Sequence, residues 1–463
     1  MVPKKRTPQK SSWNKAIAPQ QLWRAPQTHW AVLLTLLLYG FYFAADVRSS
    51  GFNLLAWPEA NAPTTIVNGD YGEPQRYRVV HQVFLFLISL TVRLWPIVNY
   101  ETAYLYSHLL ITVATALVLY GVMRRSFLIT PFGAALGVAG FVFGFPMLFG
   151  YKFLIFLSLQ DLFAYLFVLL ALIGAVSGRY YLFIVTSIAA ALSRETGLIA
   201  IIPVVIDRDH SLLKRATLAF PAIMAGIAIR YALGWDTGYM WLVHIENGLY
   251  YNLRELKSVT AAYLFAVFGV FWMLAGAGWV MLARRWRSLT RAEWILWASA
   301  PVAVCVLGTL NYLLAIFHEI RVMFLVFPWI ISLGTIFFDQ YRSRLITVKR
   351  MVVIATSTLT AALGLLAWVQ VVPRGLGRTV AMLMSVPGFR QVHRVFFEVS
   401  NWFLFHQRYN RTDALQFPYL LLQSVAVIVM AVVILLHVTQ PWFSSVFRRE
   451  RWSKTNWRSQ AKR

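Results

Sequence analysis

Runs of about 18–24 apolar residues recur along most of the chain, and that pattern leaves few folds open. In hydrocarbon every backbone N–H and C=O must find its partner within the segment, so such runs close on themselves as helices. Of the 463 residues 59% are hydrophobic and only 13% are charged, which excludes an ordinary soluble domain. The expectation is an all-α polytopic membrane protein with about twelve transmembrane helices. The runs lie at residues 29–45, 102–122, 131–149, 153–176, 212–233, 259–282, 294–316, 321–338, 351–372 and 417–438, with a double run at 180–206.

The net charge of +25 is unevenly placed. Residues 1–27 form a basic arm with Lys4, Lys5, Arg6, Lys10, Lys15 and Arg24. Residues 439–463 form a basic tail that includes Arg448, Arg449 and Arg451. Both ends read as cytoplasmic segments lying on anionic lipid, and nucleic-acid binding is the weaker reading of them. Between them, residues 28–438 make one membrane domain, expected in a bacterial inner membrane. The first run follows a basic arm without a convincing cleavage site and reads as an anchor, not a signal peptide.

Counting positive charges per loop sets the topology. Arg124 and Arg125, residues 207–215, and Arg284, Arg285 and Arg287 all fall inside if residues 79–98 stay on the outer face. That segment carries Gln82, Ser89 and Arg93 on one helical face and meets Pro96, the pattern of an interfacial helix. The outer loops are then 46–101, 234–258 and 373–416. The last runs against the charge bias, since it holds six arginines, among them Arg374, Arg390 and Arg411.

The most informative stretch is 180–206, about 27 residues, long for one span and short for two. It is apolar on both sides of Arg194-Glu195. A charge at mid-bilayer costs roughly 2.5–3.5 kcal/mol on insertion scales, so these side chains should avoid lipid. The reading is a helical hairpin whose bend presents Arg194 and Glu195 on the outer side. Asp161 begins a neighbouring run, and His318, Glu319 and Arg321 flank a tight outer turn. Asp46 closes the first helix, and Asp70, Glu73, Arg76 and Arg78 lie in the first loop. Loop charges such as Asp70 and Glu73 are ordinarily just solvated. Charges beside long apolar runs, such as Arg194, Glu195 and Arg321, point to a site.

These groups suggest sugar transfer from a lipid-phosphate donor. A carboxylate at the membrane surface can take the proton of an incoming hydroxyl. Arginines beside it can hold the departing phosphate. No metal centre is expected: Cys305 is the lone cysteine and the histidines show no ligand spacing, although a divalent cation stays open. Asp207-Arg208-Asp209 matches the D-x-D pattern of nucleotide-sugar transferases, but it falls on a cytoplasmic turn and reads as a helix boundary.

In layout the chain resembles the GT-C class of integral-membrane glycosyltransferases, which use polyprenyl-phosphate sugars. The resemblance rests on Asp46 after the first helix, GDYGEPQRYRVVHQVFLFL closing the first loop, and Ser-Leu-Gln-Asp161 opening a run. ALSRETGLIAIIP at 191–203 and HEIRVMFLVFP at 318–328 complete it. It implies a general base at Asp46, with Asp70 or Glu73 as substitutes because the class often has an adjacent acidic pair that this chain lacks. It implies donor-phosphate contacts from Arg321, with Arg194 and His318. Glu195, Asp161, Glu319, Arg76 and Arg78 would shape the pocket. The donor would be a polyprenyl-phosphate-linked sugar, and the acceptor a glycan, lipid or protein. The rival readings are a transporter or lipid flippase, and a non-catalytic membrane assembly subunit.

Overall fold

The computed structural model describes residues 32–37, 39–40, 79–95, 100–149, 159–232, 268–314 and 320–345. All regular structure among them is helical. In chain order the helices are α1 (Val79–Leu94), α2 (Tyr100–Arg125), α3 (Pro131–Phe149), α4 (Leu159–Ser177) and α5 (Tyr180–Ser193). A 3-10 helix (Glu195–Ile201) leads into α6 (Ile202–Val205) and then α7 (Leu212–Ala232). Next are α8 (Val270–Ala283), α9 (Arg291–Leu314) and α10 (Ile320–Met323). A second 3-10 turn (Phe324–Val326) then joins α11 (Phe327–Leu345).

Four segments are long and apolar enough to cross a membrane: Thr102–Arg125, Leu212–Ala232, Arg291–Leu313 and Phe324–Tyr341. They correspond to four of the twelve expected spans. Six further apolar helices among the described residues are shorter. The expected runs at 29–45, 351–372 and 417–438 lie wholly or largely outside the described residues, as do the three outer loops apart from α1 and its flanks.

Buried material centres on α11 and the turn before it. Residues 322–338 are all buried, including Phe324, Phe327 and Trp329. Trp329 donates its indole N–H to Ser299 Oγ on α9 at 2.7 Å, which satisfies a polar group that burial would otherwise penalise. Phe141 of α3 meets Phe327 at 4.7 Å between ring centroids, and Tyr165 of α4 meets Phe324 edge-on at 5.4 Å. Helix α3 runs antiparallel to α11: Asp339, late in α11, accepts the backbone N–H of Thr130 at 2.9 Å and so caps the start of α3.

The segment expected as one run at 321–338 is broken at Phe324–Val326 and continues to Leu345. Proline explains the break. An α-helix would need the N–H of residue 328 to reach the Phe324 carbonyl, and Pro328 has none. The Phe327 N–H takes that carbonyl instead, one residue early.

Glycines let α8 approach α11. A Cβ on Gly278 would stand 2.3 Å from the Leu333 carbonyl oxygen, whereas one on Gly276 meets nothing within 4 Å. Gly278→Ala is therefore expected to lower the thermal midpoint by several degrees, about 1–3 kcal/mol of overpacking. Gly276→Ala should be neutral or slightly stabilising, since alanine favours helix. Equal midpoints for the two variants would contradict this packing.

The stretch at 180–206 does reverse, as expected. Helix α4 ends in a Schellman turn: Gly178 sits at φ +70°, its N–H reaches the Ala175 carbonyl, and the Arg179 N–H reaches that of Gly174. Helix α5 then rises 14 residues to Ser193, about 21 Å. Arg194 is extended (φ −160°, ψ 147°), and the chain turns back. The descending limb has only 11 residues, seven of them 3-10 and four α. Because a 3-10 helix climbs about 2.0 Å per residue, those 11 still cover about 20 Å. The limbs thus match in length, and their lower ends meet. The Tyr180 hydroxyl is hydrogen-bonded to His210 Nε2, and Arg291 Nη2 donates to both Tyr180 Oη (3.1 Å) and Asp207 Oδ2 (2.6 Å). Neither limb reaches the roughly 30 Å of a bilayer's hydrocarbon core, so the two are not full spans.

Helix α1 ends at Leu94, beside the expected break at Pro96. Leu85 and Ile88 face the bundle, Gln82 and Ser89 are half-buried, and Val83, Phe86, Leu87 and Leu90 are exposed. Its outward face is thus apolar as far as Leu90, and Thr91 and Arg93 are exposed in its last turn.

Candidate functional site

Charged groups collect at the two ends of the bundle and serve different purposes. At one end lie the basic turns. Asp207, fully buried, holds Arg291, and Trp294 donates its indole N–H to the Ile206 carbonyl at 3.3 Å. Arg208 stacks on Trp294 and bonds the Leu289 carbonyl. The Asp207-Arg208-Asp209 motif is thus a helix boundary that ties two turns together. No group of three metal-ligating side chains occurs among the described residues.

The second charged layer lies about 20 Å away, at the hairpin tip. Arg194 forms an ion pair with Asp161, their side chains 7% and 0% exposed. Glu195 faces Arg230 at 3.6 Å, and Arg230 also donates to the Gly226 carbonyl at 2.7 Å. Each charge matches the helix end it occupies. Asp161 is in the first turn of α4 and Glu195 opens the 3-10 helix, where partial positive charge favours carboxylates. Arg194 caps the end of α5 and Arg230 lies in the last turn of α7, where partial negative charge favours cations. Two opposite pairs make the layer electrically neutral, as an apolar setting demands. The aromatic cluster of Tyr165, Phe324 and Phe327 lies about one turn nearer the basic end than Asp161.

Of the residues singled out in the sequence, the fold brings Asp161, Arg194 and Glu195 together. Arg321 falls in α10, 18 residues before Asp339, so its backbone stands at the same end of the bundle as the Arg194 layer. Asp46, Asp70, Glu73, Arg76, Arg78, His318 and Glu319 lie outside the described residues. Arg230 was not singled out, although the insertion cost that marked Arg194 applies equally to an arginine ending an apolar run. Glu195, 28% exposed, is the most accessible member of the layer. A carboxylate so placed can accept a proton or orient a polar ligand.

No family model, no curated protein and no solved structure matches the chain.

Proposed function

We propose that the chain is a GT-C-like glycosyltransferase that moves a sugar from a polyprenyl-phosphate donor to an acceptor at the non-cytosolic face. The observation that carries this reading is the shared position of Asp161, Arg194, Glu195, Arg230 and residue 321 at the end opposite the basic turns. By the positive-inside bias the basic turns belong in the cytoplasm, so the charged layer opens outward. In this reading Asp46 is the general base, with Asp70 or Glu73 in reserve. Arg321 with His318 meets the departing phosphate. Arg194, already matched by Asp161, holds the hairpin tip, and Glu195 and Arg230 shape the pocket.

The test compares Asp46→Asn and Arg321→Ala with the parent protein for release of free polyprenyl phosphate, at equal expression. Each should lose about 100-fold or more in rate, the scale of a lost general base or oxyanion contact. Full activity in both variants removes the assignment.

One feature favours a second reading, a transporter or lipid flippase. The hairpin limbs are about 20 Å long, so the tip stops within a roughly 30 Å core, on a broken helix, where transporters bind their cargo. Cysteine labelling at positions 46 and 321 separates the two: a transporter exposes them alternately to both sides, a transferase to one.

A further inference from the structure

We propose that the two turns at the basic end, residues 206–211 and 284–290, form a binding site for the phosphodiester headgroup of an anionic phospholipid in the adjoining leaflet. Residues 207–215 and 284–293 carry seven lysines and arginines against three carboxylates, and all three carboxylates are engaged internally. Asp207 and Asp209 face Arg291, and Glu293 pairs with Arg285 at 2.6 Å. Arg284 and Arg287 are exposed and have no carboxylate partner among the described residues. Arg287 instead lies over the Trp286 ring at 5.2 Å.

Two properties make this a site for lipid and not for another polyanion. The cations are interleaved with exposed apolar side chains: Leu212 and Leu213, 80% and 78% exposed, immediately precede Lys214, and Trp286 sits between Arg285 and Arg287. Leucines can enter the acyl boundary, tryptophan favours the headgroup level, and cations near an anionic surface add attraction each in turn. The exposed apolar face also continues up α7 through Phe220, Ile223 and Ile227, the path an acyl chain would follow. The turns are also tied to each other: Arg208 on Trp294 and the Leu289 carbonyl, and Arg291 on Asp207, join residues 206–211 to residues 284–294.

The full chain is placed in vesicles of equal parts phosphatidylcholine and phosphatidylglycerol, extracted in mild detergent, and its retained lipid counted by mass spectrometry. The parent should retain phosphatidylglycerol enriched about tenfold over the vesicle ratio. Arg284→Ala with Arg287→Ala should bring that ratio back toward the vesicle value, and Arg287→Glu alone should do the same. These side chains are exposed, so folding should survive, and elution as a single species is the check. Arg93→Ala, an exposed arginine elsewhere, should change nothing. Enrichment that survives both turn variants overturns the proposal and assigns the lipid to other basic segments. Displacement of the lipid by inorganic phosphate alone overturns it too, since the site would then read a free anion. Retention of nucleic acid or an acidic protein in place of phospholipid is equally fatal.

Discussion

Replacing Arg194 with leucine is expected to cost about 3–5 kcal/mol of stability, because it leaves the fully buried Asp161 carboxylate without its cation. Asp161→Leu should cost a similar amount for the mirror-image reason. The double variant, Asp161→Leu with Arg194→Leu, should recover most of the loss, since a buried pair exchanged for packed apolar groups is often neutral. Thermal unfolding of the four proteins closes a double-mutant cycle, and a coupling near zero would show that the pair does not hold the tip. The same set bears on function. If the pair only anchors the hairpin, the double variant regains activity along with its fold. If charge at the tip takes part in the chemistry, folding returns without activity.

The second large effect is expected at Gly197. A Cβ there would stand 2.1 Å from the Ala190 carbonyl oxygen and 2.6 Å from its carbon, and both are backbone atoms of α5. No rotamer change relieves that contact, so Gly197→Ala must push the descending limb away from the ascending one. The cost should reach the upper end of overpacking, about 3 kcal/mol. Gly308→Ala in α9, where nothing lies within 4 Å, is the control and should hold or raise the midpoint. A Gly197→Ala protein as stable as that control would mean that the limbs are not in close contact.

The reversal at Arg194 was legible because a charged step interrupts an otherwise continuous apolar run, and hydrocarbon tolerates no such step facing lipid. The length of the run narrowed the choice further, being too long for one crossing. Its winding was not legible: nothing in ETGLIAI distinguishes 3-10 from α, and only the meeting of Tyr180 with His210 reveals the matched heights. Partners were hidden for a different reason. Asp161 and Arg194 were each marked, but their pairing depends on how α4 and α5 fold together at Gly178. Arg230 lies within the run at 212–233 and was not marked. The bond from Arg291 to Asp207 spans 84 residues, beyond the reach of any local pattern, so Asp207 could be read as a boundary but not as a clasp. The break at Phe324 was implicit in Pro328, four residues on, although the same backbone chemistry would have placed breaks at Pro221 and Pro301, where α7 and α9 run on.

The 3-10 winding gives the returning limb a reserve of reach. Rewound as ordinary helix, its seven residues would shorten by about 3.5 Å, half an ångström each. Both its extremities are fastened, by carboxylate 161 at the top and by residue 291 at the bottom. Unfastening the lower extremity frees the limb to contract, and the chain at residue 207 would then be drawn up toward the crest by most of a helical turn, while the guanidinium at the crest keeps its carboxylate.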